Sequence, residues 1–175
     1  MPTAVFNGAL ANFSVTPTAQ GLVVVGPQGS DTITGLARLQ FSDLSLAFDV
    51  NGDAGQSYRL YQAAFDRTPD LPGLGFWIKG MDHGQPLRQV AGLFVTSPEF
   101  SAKYGALDST HFVDQLYANV LHRGPDAAGE AYWVGHLNQN DITRADTLML
   151  FSESPENQAN VIGVIQNGMP YVPFG

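Results

Sequence analysis

The sequence predicts an α+β protein, in which a small antiparallel β module is followed by a mainly α-helical domain built from two similar helical units. Apolar residues alternate with polar ones through much of residues 1–50, and the apolar period changes to three and four after residues 51–56. One helical pattern then occurs twice. We therefore predict a β-rich module over residues 1–50 and a helical domain over residues 51–175, with an internal repeat at about 57–104 and 113–165.

Short strands account for the first part of the chain. Residues 11–16 alternate in polarity, residues 22–25 form a β-branched run, and residues 39–50 alternate again with a slip near Asp43. Glycines punctuate these runs, and Gly29-Ser30-Asp31 is typical of a turn. The pattern predicts three or four short antiparallel strands.

Helix starts are marked by residues that cap helices. Ser97 and Ser154 are each followed by Pro and Glu, which favours Ser at the cap, Pro at the first helical position and an acid in the first turn. Three aspartates also precede helical patterns and are predicted caps. They are Asp70, Asp108 and Asp141.

The internal repeat is the strongest feature of the sequence. The segment YQAAFDRTPDLPGLGFW at residues 61–77 corresponds to YANVLHRGPDAAGEAYW at residues 117–133. After one inserted residue, the motif Ser-Pro-Glu also occurs in both copies. The matched pairs are Tyr61 with Tyr117, Arg67 with Arg123, Pro69 with Pro125, Asp70 with Asp126, Gly73 with Gly129, Trp77 with Trp133, and Phe94 with Phe151.

The repeated motif indicates structure more than chemistry. In Arg-x-Pro-Asp-x-x-Gly, proline ends one helix, aspartate caps the next, and arginine can pair with the aspartate or with free carbonyls. Trp77 and Trp133, with Phe76 and Tyr132, are predicted to anchor the core. No pair of histidines has metal-ligand spacing, and nucleophile or phosphate-binding motifs do not occur. We assign no catalytic and no cofactor-binding residue.

Charge and composition exclude several classes of partner. The chain has 16 acidic residues against 8 lysines and arginines, which argues against nucleic-acid binding. It contains no cysteine, so disulfides and zinc-thiolate sites are excluded. No apolar run approaches a membrane span, so membrane insertion is not expected. Residues 1–20 do not have the pattern of a signal peptide, so export would use another route.

One segment has the pattern of a cation-binding loop. Asp49, Asn51 and Asp53 place oxygen-bearing side chains at alternate positions, as in the first half of a calcium loop. Ala54 and Leu60 stand where an EF-hand has its glycine and its bidentate glutamate. The sequence therefore predicts either a calcium site at Asp49, Asn51 and Asp53 or a polar turn that joins a strand to a helix.

These motifs resemble a known family over residues 54–165. The stretch DVNGDAGQSYRLYQAAFDRTPDLPGLGFWI, followed by SPEF, is similar to a bacterial domain of unknown function that itself resembles phycobilisome linker domains. Residues 31–50 resemble the β-rich segment that often precedes it in calcium-binding-repeat exoproteins. The resemblance implies type I secretion with an uncleaved C-terminal signal and no known catalysis. This chain lacks the nonapeptide calcium repeats of those exoproteins, and without cysteine it has no thioether bilin site.

Two functional hypotheses follow. The first is a non-catalytic, extracellular or cell-surface structural or interaction module, such as the C-terminal part of an adhesin or surface-layer-like exoprotein, with an unknown protein or a surface glycan as partner. The alternative is a carbohydrate-binding protein or small hydrolase that uses acids in a cleft between the two helical units. The acids available for that role are Asp66, Asp70, Asp126 and Glu130.

Overall fold

The protein is an α+β fold, as predicted. The computed structural model describes residues 1–175, with six strands before residue 50, eight helices after it, and a seventh strand near the C-terminus. The strands are β1 (Ala4–Val5), β2 (Ser14–Thr18), β3 (Gly21–Gly26), β4 (Gly29–Ile33), β5 (Arg38–Gln40), β6 (Ser45–Ala47) and β7 (Met169–Tyr171).

Eight helices form the rest of the molecule, and α5 continues directly into a π-helical turn at Tyr117–Leu121. No helix combines the length and the apolar character needed to cross a membrane. The helices are α1 (Asp53–Phe65), α2 (Leu71–Asp82), α3 (Leu87–Val95), α4 (Pro98–Tyr104), α5 (Ser109–Leu116), α6 (Ala127–Gln139), α7 (Arg144–Ser152) and α8 (Pro155–Ile165).

The strands form two sheets. One has the order β2-β3-β4 and is antiparallel, and the other has the order β1-β5-β6-β7, in which β1 is parallel to β5. Strand β7 follows all eight helices and pairs with β6, so the end of the chain returns to the sheet formed by its beginning. Gly29, Ser30 and Asp31 were predicted to form a turn but lie in β4, because their backbone pairs with β3 and their polar side chains face solvent.

Both helical units contain four helices in the same order. Helices α1 to α4 form the first unit, and α5 to α8 form the second. Asp70 and Asp126 each cap the second helix of their unit, and Ser97 and Ser154 each cap the fourth. The largest core cluster contains buried side chains from both units, so the units share one core.

Two details of the helical prediction are wrong. The helix expected after Asp141 is capped by Thr143, which forms a reciprocal capping box with Asp146. Phe76 and Tyr132 do not anchor the core, since they are 44% and 57% exposed. Trp77 and Trp133 are only half-buried, yet they pack against the core, with ring centroids 4.8 Å from Phe94 and 5.2 Å from Phe151, respectively.

Candidate functional site

The predicted cation loop lies between β6 and α1. Both carboxylate oxygens of Asp49 accept hydrogen bonds from Arg38, from Nε at 2.6 Å and from Nη2 at 2.7 Å. The backbone N–H of Ala54 also donates to Asp49, at 3.0 Å. Asn51 is exposed, and Asp53 is the first residue of α1. Asp49 therefore already has a cationic partner within the chain, Arg38.

Arg38 is the centre of a buried charged cluster. Its side chain is on β5, the residue is 1% exposed, and Nη1 donates to Asp82 at the end of α2 at 3.3 Å. Its guanidinium carbon also lies 5.9 Å from the ring centroid of Tyr171 on β7. Burial alone would lower the pKa of Arg38, but the hydrogen bonds and charge of Asp49 outweigh it and raise the pKa. The cluster joins the β5 and β7 strands to α2.

A second carboxyl group lies close to this cluster. Burial raises the pKa of Asp53, and a hydrogen bond with Asp82 and the negative charges of Asp82 and Asp49 raise it further. No group of three or more His, Asp or Glu side chains has a metal-binding arrangement. A calcium ion here would have to compete with the guanidinium of Arg38 for Asp49. Calcium at Asp49, Asn51 and Asp53 stays a prediction.

A second buried arginine joins the two helical units. Arg59 of α1 donates from Nε and Nη2 to the two carboxylate oxygens of Glu153, at 2.8 and 2.6 Å. Its Nη1 donates to the carbonyl of Val50 at 2.6 Å. Glu153 follows α7, so this bidentate pair fixes the first helix against the end of the seventh.

The repeated Arg-x-Pro-Asp motif makes the same ion pair in both units. Arg67 donates to both oxygens of Glu99, at 2.9 and 3.1 Å, and Arg123 donates to both oxygens of Glu156, at 2.7 and 2.9 Å. Each guanidinium also lies near a tyrosine ring, Tyr61 at 4.9 Å in the first unit. The pairs connect the turn after the first helix of each unit to the fourth helix.

The aspartate of the motif holds the start of a helix. Asp70 accepts from the backbone N–H of Gly73 at 2.8 Å and from the hydroxyl of Tyr61 at 2.7 Å. These two bonds lower the pKa of Asp70, while burial and the bond to Asp70 raise the pKa of Tyr61 to about 12. Asp126 caps α6 in the same way, through Gly129 at 2.9 Å, and that bond lowers its pKa.

The alternative hypothesis required acids that converge in a cleft. Asp70 and Asp126 are helix caps, as described above. Asp66 does line a cleft of 480 Å³ between the units, where it is the only carboxylate. Glu130 lies in the first turn of α6 and does not line that cleft. The four acids are therefore not brought together.

Sequence reasoning missed the two buried arginines and the cleft. Arg38 is the only Lys or Arg before Arg59, and a lone basic residue in a strand pattern is a signal that could have been used. The cleft residue His122 corresponds to Asp66 in the repeat. Both residues line the same cleft.

Comparison with known proteins gives one match. Residues 91–161 match the family described as Domain of unknown function (DUF4214). This span begins within α3 and ends within α8, so it does not coincide with either repeat unit. No curated protein and no solved structure matches the chain. Residues 91–161 are therefore similar to a domain of unknown function.

Proposed function

We propose that this chain is a non-catalytic structural or interaction module of a secreted or cell-surface protein. The observation that carries the proposal is that the charged side chains of the repeated motif form ion pairs and helix caps within the chain. In both units, the motif arginine joins the turn after the first helix to the fourth helix, and the motif aspartate caps the second helix. Arginines and aspartates that cap helices and pair between helices stabilise a rigid scaffold.

The proposed location rests on the resemblance to exported proteins. The resemblance of the sequence motifs to a domain found in type I secreted exoproteins supports a location in the extracellular space or on the cell surface, with the chain as the C-terminal part of an adhesin or surface-layer-like protein. The proposed partners are a protein or a surface glycan. A net charge of −8 is unfavourable for contact with nucleic acid or with an anionic membrane surface.

Export can be tested directly in a host that carries, or lacks, a type I exporter. The chain should appear in the culture medium only when the exporter is present, while a cytosolic marker protein stays in the cells. Retention of the chain with the marker in both hosts would contradict type I export. Deleting residues from Asn157 onwards is a poor test, since Val161, Ile165, Met169 and Tyr171 are buried and their loss would unfold the domain.

The hydrolase alternative has its own measurement. Nitrophenyl glycosides incubated with the purified chain should release no nitrophenol above a buffer control. Release that Asp66→Asn abolishes and Asp43→Asn leaves unchanged would replace the module hypothesis with a hydrolase, since Asp66 is the carboxylate of the cleft and Asp43 lies in a turn of the β module.

A further inference from the structure

Strand β4 forms an open edge of the sheet β2-β3-β4. Its residues Gly29 to Thr32 are all exposed. The carbonyl oxygen of Ile33 points towards β3, because it occupies the place that a Cβ on Gly21 would need. Since successive residues of a strand point their N–H and C=O groups to opposite sides, Ser30 and Thr32 point theirs away from β3. Neither residue has another backbone partner, so these groups are free to pair with a further strand.

The other three sheet edges have features that disfavour a further strand. β2 contains Pro17 and β7 contains Pro170, and proline has no N–H to donate. β1 has only two residues. β4 has five residues without proline or lysine, and its pairing with β3 is continuous, without a bulge. It is therefore the one edge of either sheet that lacks these forms of protection.

A small pocket with aromatic walls lies beside the start of β4. Its volume is 260 Å³, below the range of about 300–1,000 Å³ found for small-ligand sites, so it suits one side chain better than a whole ligand. Phe6 and Phe13 line it with ring centroids 5.6 Å apart, and so does Val5, which is 68% exposed. Gly29 and Asp31 of β4 complete this side of the pocket. An apolar side chain that entered it would remove this surface from water.

Asp31 is the only charged residue of the pocket and has no partner in the chain. All ion pairs of the protein involve other carboxylates. Asp31 lies opposite the buried Val24 in the β3–β4 register, so its side chain is on the inner face of the sheet.

The charge of Asp31 decides which strand can pair with this edge. An inward-facing charge on an edge strand disfavours any added strand that leaves it unpaired. A second copy of β4 contains no lysine or arginine and could not supply the positive charge. A segment that places a lysine or arginine beside Asp31 would satisfy it, so the same carboxylate excludes one class of strand and selects another.

We propose that the edge of β4 binds an extended segment of a partner protein as an added antiparallel strand. The N–H and C=O groups of Ser30 and Thr32 form the ladder, and Asp31 pairs with a lysine or arginine of the segment. Two residues further along the segment, an apolar side chain enters the pocket beside Gly29. The matching pattern is apolar-x-basic-x-apolar, in which the first apolar residue lies opposite Ile33.

This inference rests on the proposed function in one respect, because it names a protein segment as the partner of the module. Binding of a peptide to the purified chain does not depend on export. A failure to bind would therefore overturn the inference alone, and a failure of export would overturn the proposed location alone.

The test is an NMR titration of the full chain with the acetylated and amidated peptide TVTKTFT. Its matched control is TVTETFT, in which glutamate replaces the basic residue. At about 10 mM peptide, a site with a Kd of about 1 mM would be about 90% occupied. The lysine peptide should shift the backbone amide signals of Ser30 and Thr32, and should slow their exchange with solvent about tenfold, because only the free fraction exchanges.

The glutamate peptide should bind about tenfold more weakly, because it places a like charge beside Asp31. Equal affinity for the two peptides would overturn the proposal. So would unchanged Ser30 and Thr32 amides in the presence of the lysine peptide, including the case in which that peptide shifts signals only in other parts of the chain.

A charge exchange at Asp31 separates recognition from folding. Asp31→Lys should reverse the preference, so that the variant binds the glutamate peptide more tightly than the lysine peptide. The comparison is made within one variant, so a change in its Tm does not affect the result. An unchanged preference for the lysine peptide would contradict the role of Asp31.

A proline on β4 tests the backbone pairing. Thr32→Pro removes an N–H that points away from β3, so the sheet should keep its bonds while the affinity for the lysine peptide, followed at the Ser30 amide, should fall at least about tenfold. Thr32→Val is the matched control, since it keeps the N–H and should bind like the wild type. Equal affinity of the two variants would show that no strand is added at this edge.

Discussion

At the scale of single residues, Arg38 is a buried arginine that pairs with two carboxylates. It is 1% exposed and lies between Asp49 and Asp82, whose side chains are 8% and 15% exposed. A buried ion pair contributes little net stability compared with an apolar replacement of both partners, but removal of one partner leaves a buried charge without compensation. The stability of the β5, β7 and α2 junction therefore depends on the arginine being present.

Arg38→Met should destabilise the protein by about 3–5 kcal/mol, because it leaves Asp49 and Asp82 buried and unpaired. Arg88→Met is the control, since Arg88 also pairs with an aspartate, Asp146, but is 67% exposed; it should cost at most about 1 kcal/mol. Chemical denaturation measures both. Equal, small losses would mean that the buried cluster does not hold the junction.

Asp53 should oppose folding at neutral pH. The pKa of Asp53 is raised in the folded state, mainly by burial and by Asp82. Above that raised pKa, the charged carboxylate lowers the free energy of unfolding. This loss of stability disappears as the pH falls towards the unfolded-state pKa of about 3.9. Asp53→Asn should therefore raise Tm at pH 7 and give no gain near pH 4. Thermal melts at both pH values test this, and a gain at pH 4 equal to that at pH 7 would contradict it.

Calcium at the same loop has a separate signature. If Asp49, Asn51 and Asp53 bind the ion, millimolar calcium should raise the Tm of the wild type relative to chelator, by mass action. The difference between calcium and chelator should shrink in Asp53→Asn. Identical wild-type melts in calcium and in chelator would leave Arg38 as the sole cationic partner of Asp49.

At the scale of elements, α2 of the first unit and α6 of the second differ where the C-terminal tail passes. A Cβ on Gly75 of α2 would lie 1.8 Å from the carbonyl oxygen of Val172, just after β7. The corresponding residue of α6 is Ala131, which is exposed. A methyl group is tolerated there because the C-terminal tail does not cover it. The two units are similar in order but are adapted to different neighbours.

Gly75→Ala should cost about 1–3 kcal/mol or more, because the new methyl group overlaps the tail. Gly135→Ala in α6 is the matched control: nothing lies within 4 Å of its Cβ position, so the substitution should stabilise the helix by about 0.4–1 kcal/mol. Urea unfolding of both variants provides the comparison. A destabilisation of similar size in both would show that tail packing on α2 is not the cause.

The features predictable from sequence were those encoded over a few residues. Caps such as Asp70 and Ser97 bond to an N–H three residues later, so their signal is local. The repeat likewise predicted a common helix order for both units. Arg38 could not be placed in this way, because its partners lie 11 and 44 residues away and only the tertiary fold brings them together.

The same limit applies to the strands and to the cleft. The short β1 and β7 strands have little local pattern, and each depends on a partner far along the chain, at Leu39 and Leu46, respectively. The cleft combines α1, α8 and two turns, and none of them signals a site alone. The sequence shows that Asp66 and His122 are equivalent in the repeat, but it does not indicate that both line one cleft.

At the scale of the whole molecule, contacts within the chain join the β module to both helical units. Arg38 connects the sheet to α2, Arg59 connects α1 to the end of α7, and β7 carries the chain from α8 back to β6. The division of the chain into a β-rich domain over residues 1–50 and a helical domain over residues 51–175 remains a prediction. The contacts favour a single cooperative unit.

Native-state hydrogen exchange tests this cooperative scaffold most directly. The slowest amides of β5 and β6 should exchange with the same opening free energy as those of α1, since both report one global unfolding step. Arg38→Met should lower the opening free energy of all these amides together. If β5 and β6 exchange at a lower free energy than α1 in the wild type, or if Arg38→Met affects the sheet alone, the sheet and the helices unfold independently and the account of a single scaffold is contradicted.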